Sequence, residues 1–69
     1  MKGTAIDRET LKAGVKRLSS QAVQAKMNLH DLAEELPIGY EEILSVAQRA
    51  YDTYRELESK RAQLRALGE

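Results

Sequence analysis

Cysteine is absent from this chain, and so are tryptophan and phenylalanine. Without thiols there is neither a disulfide framework nor thiolate metal ligation, and the redox compartment stays open. Proline occurs once, at Pro37, and glycine four times in 69 residues, so few places can break a regular element. No apolar run approaches the roughly 18–20 residues needed to span a bilayer. The stretch MKGTAIDRET holds no uninterrupted apolar segment of the kind a secretory signal requires. A cytoplasmic protein without membrane association is expected. Net charge is missing too, because eleven Lys and Arg cancel eleven Asp and Glu. One histidine and no glycine-rich phosphate loop leave no convergent catalytic constellation. No enzymatic activity and no cofactor are expected.

What the chain does have is two ladders of apolar residues spaced alternately four and three apart. The first is Leu11, Val15, Leu18, Ala22, Ala25, Leu29, Leu32, Leu36; the second is Ile43, Ala47, Ala50, Tyr54, Leu57, Arg61, Leu64. This spacing puts a narrow apolar stripe on each of two helices, the seam of a coiled coil. The fold class expected is all-α: a single antiparallel two-helix hairpin domain over residues 1–69, pairing into a four-helix bundle. Helix one runs from about 7 to 35, the turn over 36–40 and helix two from about 40 to 67. A chain this short sits near the lower limit for a self-sufficient core, and a lone hairpin has only one seam to bury. A partner is expected, a second copy or a larger protein.

Thr4 or Asp7 can cap the first helix, and residues 1–6 are expected to fray. Gly14 and the Ser19–Ser20 pair weaken its interior, the glycine by about 1 kcal/mol relative to alanine. Pro37 ends it by disfavouring helical geometry at Leu36. Gly39 suits the turn, Glu41 and Glu42 favour the start of the second helix, and Gly68 its stop. Folded about residue 38, the ladders pair Leu36 with Tyr40, Leu32 with Ile43 and Leu44, and Leu29 with Ala47. Ala25 then faces Ala50 and Tyr51, Ala22 faces Tyr54, Leu18 faces Leu57, and Leu11 faces Leu64. Arg61 falls opposite Val15, either snorkelling outward or fixing register. Val23, Met27, Leu44, Val46, Tyr51 and Leu67 lie off the stripes and widen the apolar surface.

Charge is segregated along the chain. Residues 1–26 carry six Lys and Arg against two acids, whereas residues 27–48 carry five acids and no Lys or Arg. A hairpin therefore has an acidic turn end and a basic open end, and two hairpins packed head to tail would match opposite charges. His30 and Glu34, four apart on one helix face, gather with Asp31, Glu35, Glu41 and Glu42 near the turn. One imidazole and two carboxylates there could hold a divalent ion, although a solvated acidic turn explains the same residues. Arg8, Lys12, Lys16, Arg17 and Lys26 give helix one a basic flank of the sort RNA-binding hairpins use. Zero net charge and the lack of Phe and Trp for base stacking make nucleic acid the weaker reading. Tyr40 and Tyr51 are candidate interface anchors, since aromatics concentrate at binding hot spots. Tyr54 is expected in the core.

The stretch KMNLHDLAEELP, from Lys26 to Pro37, is more particular than composition explains. With the length and hairpin plan it resembles the Rop-like small proteins of nitrogen-fixation gene clusters, the group that includes nitrogenase-associated factor T. The resemblance spans roughly Leu11 to Leu67 and is specific at Met27, Leu29, His30, Asp31, Leu32, Ala33, Glu34, Leu36 and Pro37. Related sequences tend to place a small residue before the Leu-Pro pair and an acidic-aromatic turn after it. This chain has Glu35 and then Ile38-Gly39-Tyr40. The resemblance implies a non-enzymatic accessory that binds the nitrogenase molybdenum-iron protein and assists its maturation, stabilisation or repair. Residue by residue, it makes His30, Asp31 and Glu34 candidates for partner contact.

Overall fold

The computed structural model describes residues 8–68. They form α1 (Arg8–Glu35), a 3-10 turn (Tyr40–Glu42) and α2 (Ile43–Ala66), with no strand among the described residues. The two helices pack against each other as a hairpin. The expected caps Thr4 and Asp7 lie outside the described residues.

The connection is built from backbone hydrogen bonds. Ile38 N–H donates to the Glu35 carbonyl at 3.0 Å, Tyr40 N–H to Pro37 at 3.3 Å, and Glu42 N–H to Gly39 at 2.9 Å. The Leu36–Pro37 peptide is cis. Gly39 sits in the left-handed region at φ 81°, where a Cβ would be strained and would meet Leu32 Cδ1 at 3.1 Å. At the other end Gly68, at φ 91°, donates to the Arg65 carbonyl at 2.9 Å and closes α2 as expected. Arg8 donates to the Leu67 carbonyl at 3.3 Å, tying the first turn of α1 to the end of α2 and satisfying a carbonyl that no later turn can reach.

The core is thin and made largely of small residues. The buried residues are Leu11, Gly14, Leu18, Ala22 and Ala25 on α1, and Ala50 and Leu57 on α2. Leu18, Ala22 and Leu57 form one cluster, with Val15 packed against it. The first ladder is thus confirmed over its buried length, but Leu36 at its end is exposed, because the chain leaves the helix one residue earlier.

On α2 the seam is rotated from the expected one. Ile43, Ala47, Ala50, Leu57 and Leu64 are half-buried or buried as expected, but Val46, Thr53 and Lys60 are half-buried between them as well, where Tyr54 and Arg61 were expected. Tyr54, expected in the core opposite Ala22, is 41% exposed, and Leu44, expected against Leu32, is 82% exposed. The reason is size: with alanine and glycine lining α1, the helices come close enough to admit threonine and to exclude a phenol ring. Arg61 stays exposed. Lys60 takes the inner position instead, and its aliphatic stem lies over Gly14: a Cβ on that glycine would be 3.9 Å from Lys60 Cε.

Candidate functional site

Helical spacing places His30 and Glu34 one turn apart on the side of α1 turned away from α2, with Asp31 beside them. The imidazole lies between the two carboxylates. His30 Nδ1 is 3.6 Å from Asp31 Oδ1, and His30 Nε2 is 3.6 Å from Glu34 Oε2. These distances are too long for hydrogen bonds but suit ion pairs when the ring is protonated. All three side chains are well exposed, between 59% and 71%, so the pairs add little stability. A cluster that stabilises so little is free to be used by something else.

One ligand atom from each of His30, Asp31 and Glu34 lies within 4.8 Å of the others. This donor set has the chemistry for a divalent ion. Glu35, Glu41 and Glu42, expected beside it, fall outside that group. The start of α2 packs on the inner side of α1, whereas His30 and Glu34 project from the outer side. What remains is an exposed, compact, mostly anionic patch on a rigid helix.

Two of the tyrosines named from sequence are strongly exposed, Tyr40 and Tyr51 each at 62%. They lie on the turn and on α2, separate from the His30 cluster. Tyr54, assigned to the core from sequence, joins them at the surface. The opposite side of the hairpin is polar. Gln21, Gln24 and Asn28 of α1 line a shallow groove there with Arg49 and Thr53 of α2, and Gln24 Nε2 donates to Asn28 Oδ1 at 3.0 Å. That groove was not anticipated, although glutamine and asparagine recurring at three- and four-residue intervals signal it. No helix of the described residues is long and apolar enough to cross a membrane.

Comparison with known proteins gives this hairpin relatives over nearly its whole length. A UPF0437 protein of Azorhizobium caulinodans is 54% identical over 61 residues, covering 88% of each chain. A Frankia alni protein, named as a UPF0437 protein in the nifX-nifW intergenic region, is 46% identical over 52 residues, covering 75% of this chain and 63% of that one. A crystal structure of a DUF683-family protein from the cyanobacterium Cyanothece superposes with a TM-score of 0.84 at 43% identity, covering 87% of this chain and 98% of that one. A family model described as Rop-like matches residues 6–69. By that match and by the two-helix fold, the chain belongs to the Rop-like family.

Proposed function

We propose that this chain is a non-enzymatic accessory of nitrogen fixation that docks on the nitrogenase molybdenum-iron protein and assists its maturation, stabilisation or repair. The observation that carries the reading is the Frankia alni relative, which by its name lies between nifX and nifW. The resemblance of the Lys26–Pro37 stretch to Rop-like nitrogen-fixation proteins supplies the partner. The exposed patch of His30, Asp31 and Glu34 supplies a means: two carboxylates and an imidazole, held on one helix and paired only loosely with one another. Such groups steer and orient a basic surface more than they add affinity.

The test is capture of purified molybdenum-iron protein, in cofactor-replete and cofactor-depleted forms, on the tagged chain. Retention near one hairpin or one hairpin pair per partner subunit is expected for at least one form. Charge reversal by Asp31→Lys with Glu34→Lys should weaken it about tenfold or more while leaving helicity intact. Equal retention by that variant would move the contact elsewhere on the hairpin. Failure to retain either form would refute the reading.

A further inference from the structure

Gln21, Gln24 and Asn28 of α1 and Arg49 and Thr53 of α2 wall a groove of about 380 Å³, and buried Ala25 forms its floor. That volume is at the lower end of the range of small-ligand sites. No carboxylate is among the lining residues. Arg49 is also the only Lys or Arg between Lys26 and Arg55, the one strong cation in the turn half of the hairpin. Asp52, three residues on, is placed to pair with it along the helix, but turns to Gln48 instead, whose Nε2 donates to Asp52 Oδ1 at 2.9 Å. Among the described residues no hydrogen bond or ion pair engages the Arg49 guanidinium. On the other wall Gln24 Nε2 donates to Asn28 Oδ1 at 3.0 Å. That bond fixes the Asn28 amide and leaves both of its N–H groups unspent.

We propose that this groove binds a small organic acid, with one carboxylate in the fork of Arg49 and the neighbouring side-chain amides as further donors. A guanidinium presents parallel N–H groups that match a planar carboxylate with two hydrogen bonds. Neutral Gln and Asn side chains add donors without adding an internal anion to compete for the arginine. What the walls lack selects a carboxylate over a phosphate. Residues 21–28 and 49–53 lie inside α1 and α2, where backbone N–H groups are committed to the helix. No helix N-terminus therefore faces the groove to meet a dianion. The charges along the groove also give it a direction. Arg17 stands one turn before Gln21, toward the open end, and Asp31 follows one turn after Asn28, toward the turn. A second acid group is drawn toward Arg17 and repelled by Asp31, which favours a dicarboxylate over a single acid. Solvent exposure of Arg49 keeps the affinity low. The proposal is independent of the nitrogenase reading, in which Arg49 has no part.

Titration of the nitrogen-15-labelled chain with succinate at low ionic strength, followed by two-dimensional proton–nitrogen NMR, tests it. Saturable shifts should concentrate on the Arg49 Nε–H, the Gln21 and Asn28 side-chain amides and the Thr53 backbone N–H, with a dissociation constant of about a millimolar. Succinamide, which keeps the shape without the charge, and inorganic phosphate should each bind about tenfold more weakly or worse. Arg49→Gln should raise the dissociation constant for succinate about tenfold or more, and Arg49→Lys by less, because an ammonium keeps the charge and loses the fork. Arg55→Gln, which removes an exposed cation outside the groove, should change nothing. The same spectra show that each variant is folded. Shifts that never saturate, that spread evenly over the surface cations, or that persist in Arg49→Gln would overturn the proposal, as would phosphate binding as tightly as succinate.

Discussion

Gly14 is the position where sequence and structure assign different consequences to one residue, and Gly14→Ala separates them. From sequence the glycine is a weak point in a long helix. In the structure it is buried beneath the stem of Lys60, which invites the view that only glycine fits. The distances decide the matter. An added Cβ would meet Lys60 Cε at 3.9 Å and Cδ at 4.0 Å, with no nearer neighbour across the seam. These are ordinary van der Waals separations, so alanine enters without displacing anything. The backbone there is helical, and alanine in a helix interior is better than glycine by about 0.8–1.0 kcal/mol. The new methyl adds contact with the lysine methylenes. Gly14→Ala should therefore stabilise by about 1 kcal/mol, which for a domain of this size raises Tm by about 4–8 °C. Thermal and urea melts followed by circular dichroism will read it, with both proteins at one concentration and in one buffer. Gly14→Val is the companion: its branched side chain must push the lysine stem aside, and the gain should vanish. An unchanged or lowered Tm for Gly14→Ala would refute the reasoning, since the helices would then approach at Gly14 more closely than the hairpin geometry allows.

Three further substitutions address the seam and the two glycine-bearing ends. Leu18→Ala removes the larger part of a side chain only 4% exposed that packs with Ala22 and Leu57; a loss of about 2–4 kcal/mol is expected, seen as a marked drop in the urea midpoint, and a loss below about 1 kcal/mol would deny that this cluster is the core. Gly39→Ala should cost about 1–2 kcal/mol for a left-handed backbone, plus movement of Leu32 Cδ1 from the 3.1 Å contact. Gly68→Ala, at a similar φ but with nothing within 4 Å, should cost far less, because the last turn can fray to relieve it; equal effects on the urea midpoint would show that the turn is not the constraint.

The hairpin, the end of α1 at Glu35 and the inner face of α1 were legible because one proline and a strict spacing leave few alternatives; the 3-10 turn over Tyr40–Glu42, ahead of α2, was not. The phase of α2 was not. Ile43, Leu44, Val46 and Ala47 are all apolar, so its first turn does not say which side faces in. Further along, the choice between Thr53 and Tyr54 looks settled by hydrophobicity, and hydrophobicity points the wrong way. Thr53 can be half-buried because its hydroxyl is already satisfied, donating to the Arg49 carbonyl at 2.8 Å. Between Lys60 and Arg61 the sequence shows two charges, whereas the fold uses one of them as a hydrocarbon chain. The grouping of His30, Asp31 and Glu34 was readable from i, i+4 spacing alone. The exclusion of Glu41 and Glu42 was not, since it depends on which side of α1 receives α2.

The rotated seam and the exposed aromatics have one cause. Ala22 and Ala25 on α1 and Ala50 on α2 are buried to 8% exposure or less, and small side chains on both sides of a seam draw the helix axes together. A seam that narrow has no room for a tyrosine, so Tyr51 and Tyr54 go to the outer side of α2 with Leu44. Enlarging the inner alanines would make room for the rings and deepen the core, at the expense of the apolar face. The sequence does the reverse: it keeps the hairpin thin and places its largest apolar side chains outside. A 69-residue chain that spends aromatic residues on its surface gains nothing from them alone, because exposed rings leave their hydrophobic free energy unrealised. They contribute only once that face is covered.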